Sequence, residues 1–265
     1  MIPMLRKSLW DLRWTTLWYG LVAVLYTSAV LAYFPSVRDN AASFSRILQT
    51  YPRSLTAAVG FTDVGSFSGF VGSEVFNLIW PVLMAAFAIA TGSAVVAREV
   101  EEGTADVWLS LPAPRAVLLG GKLLALGLAI VALVAASLVP VAAGAALLAA
   151  HVSVGGVLSM GALMASFLLV VAAYSALFSA YSSDRGRAAG LAGGLSLAFY
   201  LAWVVSRLSP GWSWLGKLSI FTAYEPQRAL ETGAVDVVHV VVLLGIAAAA
   251  AAVALAGFQR RDVLA

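Results

Sequence analysis

Six long apolar runs, at residues 17–34, 75–97, 123–150, 156–181, 188–207 and 237–258, leave this chain few ways to fold. Each reaches or approaches the ~20 residues an α-helix needs to cross a bilayer. Hydrocarbon offers the backbone no water, so each run must satisfy its own amides as a helix or close into a barrel. The ten-residue alternating strands of a barrel are missing. The expected fold is therefore an all-α integral membrane protein with six transmembrane helices. Composition agrees: 11% of residues are charged, where a soluble domain carries roughly 25%.

The same composition excludes several functions. There is no cysteine, hence no disulfide scaffold, thiol nucleophile or cysteine-ligated metal. The net charge of +3 is spread over several loops and leaves no nucleic-acid footprint. Intramembrane enzymes and proton-coupled carriers need paired acids, histidines or a Ser–His arrangement inside the spans. Here the span interiors hold Ser, Thr and Tyr but almost nothing ionisable, which disfavours a stand-alone intramembrane enzyme. Glu74, His151 and His239 fall at span boundaries, too isolated to suggest a metal.

Residues 1–16 precede the first span. Ile2, Leu5, Leu9 and Leu12 recur at helical spacing with Lys7 and Asp11 opposite, as in a helix lying in the membrane interface. The plainer alternative is a polar beginning of the first span. Ala29 to Ala32 resembles a signal-peptidase site only weakly, and the long apolar run reads as an uncleaved anchor. Residues 35–73 and 209–236 are extracytoplasmic segments, too apolar for solvated linkers and too broken to span. Pro81 and Pro140 are expected to bend the second and third spans. Gly190 and Gly194 in the fifth span allow close helix packing, within the chain or between subunits. Ten of the 16 Lys and Arg residues fall in the terminal segments and in loops 98–122 and 182–187. That bias places these loops and both termini in the cytoplasm.

The cytoplasmic loop 98–122 carries the most information. Glu99, Glu101 and Glu102 followed by Gly103-Thr104 read as the end of one helix and the start of another. Thr104 can cap a short helix over 105–111, with Asp106 in its first turn. Pro112 and Pro114 stop it. Val107, Trp108 and Leu111 then form an apolar knob outside the membrane, suited to a groove on another protein.

This loop resembles the hallmark of ABC-2 type permeases, the membrane subunits of one class of ABC exporter. The matching residues are Ala97-Arg98-Glu99, Glu102-Gly103-Thr104, Leu109-Ser110-Leu111-Pro112, Arg115 and Gly121-Lys122-Leu123. Weaker support comes from YPRSLTAAVGF, GFVGSEVF and the closing Phe258 to Asp262. The resemblance implies that two such permeases, identical or related, pair with two ATP-binding subunits. Helix 105–111 would be the coupling helix, with Glu99, Glu101 and Glu102 facing basic groups of the ATPase. Val107, Trp108 and Leu111 would be its knobs; Pro112, Pro114 and Arg115 would fix the return to the third span. Asp184, Arg185 and Arg187 would make a second contact, and residues 1–16 would be a connecting helix that moves with the ATPase. Gly120-Gly121-Lys122 lacks the upstream glycine and the Ser/Thr of a phosphate-binding loop. ATP and magnesium would therefore belong to the partner, with no cofactor in this chain.

The expected role is export of a hydrophobic or amphipathic substrate such as a drug, antibiotic, lipid or peptide, across a bacterial or archaeal plasma membrane. The alternative within the family is transmission of ATPase motion to a periplasmic partner, as in copper-enzyme maturation.

Overall fold

The computed structural model describes residues 2–41, 65–77, 79–104, 113–150 and 152–260. Among these the chain is helical, with no strand. Helix α1 spans Ile2–Asp39 and α2 Phe67–Phe70, the latter running into a π-helical turn at Val71–Phe76. Helices α3 (Ile79–Gly92), α4 (Ala97–Glu101), α5 (Arg115–Leu147), α6 (Val154–Tyr181) and α7 (Arg185–Leu208) follow. Two 3-10 segments, Pro210–Leu218 and Ile220–Ala223, lead to α8 (Pro226–Thr232) and α9 (Val237–Arg260). Five helices are long and apolar enough to cross a bilayer, or six if α2 and α3 count as one broken span.

Three expectations change. Residues 1–16 are not a separate interfacial helix: α1 is continuous from Ile2 to Asp39. No Gly or Pro interrupts the chain near Thr16, so nothing favours a break there. Its 38 residues extend about 57 Å, nearly twice the ~30 Å hydrocarbon core. The bend in the second span lies ahead of Pro81, where the segments Phe67–Phe76 and Ile79–Gly92 meet at 42°. Proline's ring excludes the carbonyl four residues upstream, so the break falls near residue 77 and Pro81 sits in the first turn of α3. Helix α3 ends at Gly92, ahead of the end of the apolar run at 97, and α5 begins at Arg115, ahead of the run that starts at 123. Helix α5 passes through Pro140 without interruption.

Helix α6 is the pivot of the bundle, packing against α9, α3, α5, α8 and α7, while α1 runs along α5. Ala172, Ala173, Ser175, Ala176, Ser179 and Ala180 of α6 are all buried. Such small residues bring neighbouring backbones close, which is how helices attract one another in lipid. Polar side chains add links: Trp80 donates through Nε1 to Ser137 Oγ at 2.9 Å, and Tyr26 donates to the Glu74 carbonyl at 2.8 Å. Segment 209–236 is a folded layer at one end of the bundle. Phe221 and Tyr224 pack on Phe167, while Trp212 and Trp214 remain exposed.

At the other end α1 begins beside Gly121, α9 finishes beside Tyr181, and segments 93–104 and 182–184 lie together. Nine described Lys and Arg residues gather here, so the grouping drawn from charge is also a grouping in space. We call it the basic end. Gly190 and Gly194 face outward, and a Cβ added to either would meet no atom of the described chain. Ala188 and Ala192 are the buried small residues of α7.

Helix α3 lies tightly against α6 at Gly92, where an added Cβ would lie 2.7 Å from Ser175 Cβ and 2.9 Å from the Ala172 carbonyl oxygen. A backbone oxygen cannot swing aside. Gly92→Val should therefore cost about 1–3 kcal/mol by overpacking, read as a lowered melting temperature in detergent. An unchanged melting temperature would show that α3 and α6 are free to separate at this point.

Candidate functional site

The candidate site is built where α3 stops. Helix α3 ends at Gly92 and the chain turns through 93–96 before α4, leaving amides that no turn of helix can pair. Val96 stands at the N-cap of α4 and has no capping side chain of its own. Ser179, near the end of α6, supplies the cap instead. Its hydroxyl accepts from Val96 N at 3.0 Å and Ala97 N at 2.9 Å, and donates to the Ser93 carbonyl at 2.7 Å. One donor and two acceptor positions are all a serine hydroxyl has, and all three are used.

Helix α4 closes at Gly103, whose φ of +67° is the left-handed geometry that favours glycine. Gly103 N bonds to the Val100 carbonyl at 3.2 Å, and Thr104 N to the Glu99 carbonyl at 2.9 Å. Together they form a Schellman closure. Thr104 was expected to cap forward onto helix 105–111. That cap falls on residues outside the described ones; the Thr104 hydroxyl donates back to Glu99 Oε2 at 2.7 Å. The helix itself lies outside the described residues, and with it Val107, Trp108, Leu111 and Pro112.

The three glutamates part company. Glu99 turns inward: its Oε1 accepts from Lys122 Nζ at 2.8 Å, and Lys122 also donates to the Val95 carbonyl at 2.9 Å. The side chains of this pair are only 22% and 10% exposed. Glu101 reaches the other loop, accepting the Arg185 amide at 3.0 Å. Glu102 pairs with Arg98 at 2.8 Å across one exposed turn, a contact worth a few tenths of a kcal/mol (~0.3–0.5). Asp184 caps α7 by accepting the Arg187 amide, and Arg187 itself is exposed. Pro114, extended at φ −56° and ψ 139°, is the N-cap of α5, with half-buried Arg115 as its first residue.

The structure thus joins loops 98–122 and 182–187 in one polar knot, tied to α6 by Ser179 and to α5 by Lys122. Beside it, toward Lys7 and Asp11 of α1, lies an open cavity of about 650 Å³. The arrangement holds three helix ends in a fixed relation. Ser179 was not singled out from sequence, since one serine in an apolar run looks like any other. Lys122 was noticed as part of the Gly121-Lys122-Leu123 frame but not as a partner for Glu99; a lysine at the brink of a span was the available signal for a buried partner.

A multi-pass helical membrane protein with a tied polar knot at one end is the class that this geometry defines. The chain belongs to the ABC-2 family: the model described as "ABC-2 family transporter protein" matches residues 11–263. It is an ABC-2 type permease, a membrane transport component that is not itself catalytic and that associates with an ABC ATP-binding subunit. No curated protein matches the chain.

Two measurements check the knot. Ser179→Ala would strand two buried amides at about 1–3 kcal/mol each. Ser175→Ala, one turn away and equally buried, should cost much less, because that hydroxyl only returns to the Val171 carbonyl of its own helix. Melting temperatures that fall equally in both variants would remove the capping role.

For Glu99, burial pushes the carboxyl pKa up, but hydrogen bonds from Lys122 and Thr104, with the Lys122 charge, outweigh it and hold the pKa below the ordinary value. A carboxyl depressed on folding contributes stability that is complete above its unfolded pKa of ~4.3 and is lost as pH falls through the lower, folded value. The stability advantage of wild type over Glu99→Gln should therefore shrink as pH drops from about 6 to about 3. Melting curves that stay parallel over that range would show that Glu99 gains nothing from the pair.

Proposed function

We propose that this permease is the membrane subunit of an ATP-driven exporter, with both termini and the polar knot in the cytoplasm. It works as a pair of identical or related permeases on two ATP-binding subunits, which bind the ATP and magnesium. Helix 105–111 docks on the ATPase through Val107, Trp108 and Leu111. Pro112 and Pro114 shape its return, and Asp184, Arg185 and Arg187 make a second contact with the ATPase. The cargo is a hydrophobic or amphipathic molecule, in keeping with spans that carry almost no charge. Outward-facing Gly190 and Gly194 suit a helix contact with the second permease.

The observation that carries the reading is the knot. The segment that precedes residues 105–112 is tied twice: Glu99 to Lys122 of α5, and Glu101 to Arg185 of α7. Ser179 ties the same segment to α6. A displacement applied there moves three helix ends together, as ATP-driven switching between two arrangements of the pair requires. Only exposed Glu101 and Glu102 remain available to basic groups of a partner, since Glu99 is engaged inside.

Trp108→Asp should abolish co-purification of the ATPase from native membranes, while Leu109→Cys should cross-link to it in this cysteine-free chain. Retained binding and transport in Trp108→Asp would defeat the docking role. ATP hydrolysis stimulated by an outer protein, with no response to lipophilic compounds, would replace export with force transmission.

A further inference from the structure

A second open cavity lies on a neighbouring face of α1 and shares Leu12 with the first. We propose that the groove between α1 and α5 at the basic end binds one anionic phospholipid of the adjoining leaflet, with Arg13 and Thr16 holding its phosphate and one acyl chain lying along the groove. The inference does not rest on the coupling reading, because it concerns the bilayer and this chain alone.

The groove is an open trough of about 620 Å³ running beside α1 to Val24 and along α5 from Leu128 to Ala136. Its depth comes from small residues: Gly20 on one wall and Ala132 on the other, between the longer Leu17, Leu21 and Leu128. Every lining side chain is apolar except two, Arg13 and Thr16, and both stand toward the polar end. Neither is satisfied. Arg13 Nη1 and the Thr16 hydroxyl oxygen are shielded from solvent and have no hydrogen-bond partner. The Arg13 guanidinium carbon lies 3.1 Å from the centroid of the Trp10 ring and 5.7 Å from that of Trp14. Aromatic faces hold a cation in place but accept no N–H hydrogen bond in the guanidinium plane. No carboxylate lines the trough.

A fixed cation and a free hydroxyl at the head of a hydrocarbon-lined slot describe the complement of an anionic amphiphile. Phosphate oxygens accept strongly from a guanidinium fork, often in pairs, and from a hydroxyl. Length selects a bilayer lipid as the occupant. From Arg13 to Val24 the helix rises about 16 Å, close to one leaflet's share of the ~30 Å hydrocarbon core. Tryptophans at positions 10, 14 and 18 are exposed around the mouth, where aromatic rings favour the headgroup level. A free phosphate would leave the slot empty, and a zwitterionic lipid would bring its own cation next to Arg13.

The test is native mass spectrometry of the full chain. The protein, in mild detergent, is offered phosphatidylglycerol and phosphatidylcholine with matched acyl chains in equal amounts. Wild type should retain one phosphatidylglycerol with about tenfold preference, as expected for a charge-assisted contact. Arg13→Gln should erase the preference, Arg13→Lys should keep part of it, and Ala132→Phe, which fills the slot, should reduce retention of both lipids. Melting temperatures close to wild type would show that these surface variants still fold. Equal retention of the two lipids by wild type, or a preference untouched by Arg13→Gln and Ala132→Phe, would overturn the site. So would a Leu21→Cys cross-link between two copies in native membranes, which would assign the groove to a second permease.

Discussion

A helix that begins inside an apolar bundle must hand its first free amides to another group, because neither lipid nor packed side chains will take them. Helix α4 begins in this way at Ala97, just after α3 stops at Gly92, and the hydroxyl of Ser179 accepts from two amides and gives its proton to a carbonyl. Gly92 makes the arrangement possible by letting α3 lie directly on the backbone of α6. The position of α4, the Schellman turn at Gly103 and the approach to residues 105–112 all follow from that cap. In a medium of low dielectric an unmade hydrogen bond is expensive, so this turn has one good solution and little freedom around it.

From that cap outward the polar contacts pass from dry to wet. Ser179 is fully buried, the Lys122–Glu99 pair is largely so, and Glu101, Glu102, Arg98 and Arg185 meet water. Strength follows the same order, because burial raises the cost of breaking a contact while exposure reduces a pair to a few tenths of a kcal/mol (~0.3–0.5). The result is a stiff anchor in the membrane carrying a softer, charged rim. A partner that repacks the rim would leave the anchor intact, so motion at the rim would reach α5, α6 and α7 as whole helices.

The outward faces tell a complementary story. Helices α7 and α9 are far less buried than α6, and much of their apolar surface is unoccupied by the chain itself. Gly190 and Gly194 belong to that surface. On α1 the outward face is interrupted by the groove at Arg13, where polar atoms lie hidden without partners. Lipid can cover plain apolar faces without specificity, but an unpaired cation next to a slot requires a partner with charge.

How far the sequence could be read followed from the range of the interactions. Helical class, the order of the apolar runs, the gathering of basic residues at one end and the helix end at Glu102-Gly103-Thr104 were legible, because each rests on residues close together in the chain. The family was legible from the frame between Ala97 and Leu123 for the same reason. Three things were not. The inward turn of Glu99 depends on Lys122, 23 positions away, and the cap of α4 depends on Ser179, more than 80 away. The outward face of Gly190 and Gly194 depends on which side of α7 meets α6. A spacing of four says only that two glycines share a face. Local periodicity, length and charge thus determined what each segment is, since backbone hydrogen bonding in lipid permits little else. Which polar groups meet was decided only by the packing of distant helices, because a buried donor takes whatever acceptor the tertiary structure brings within reach.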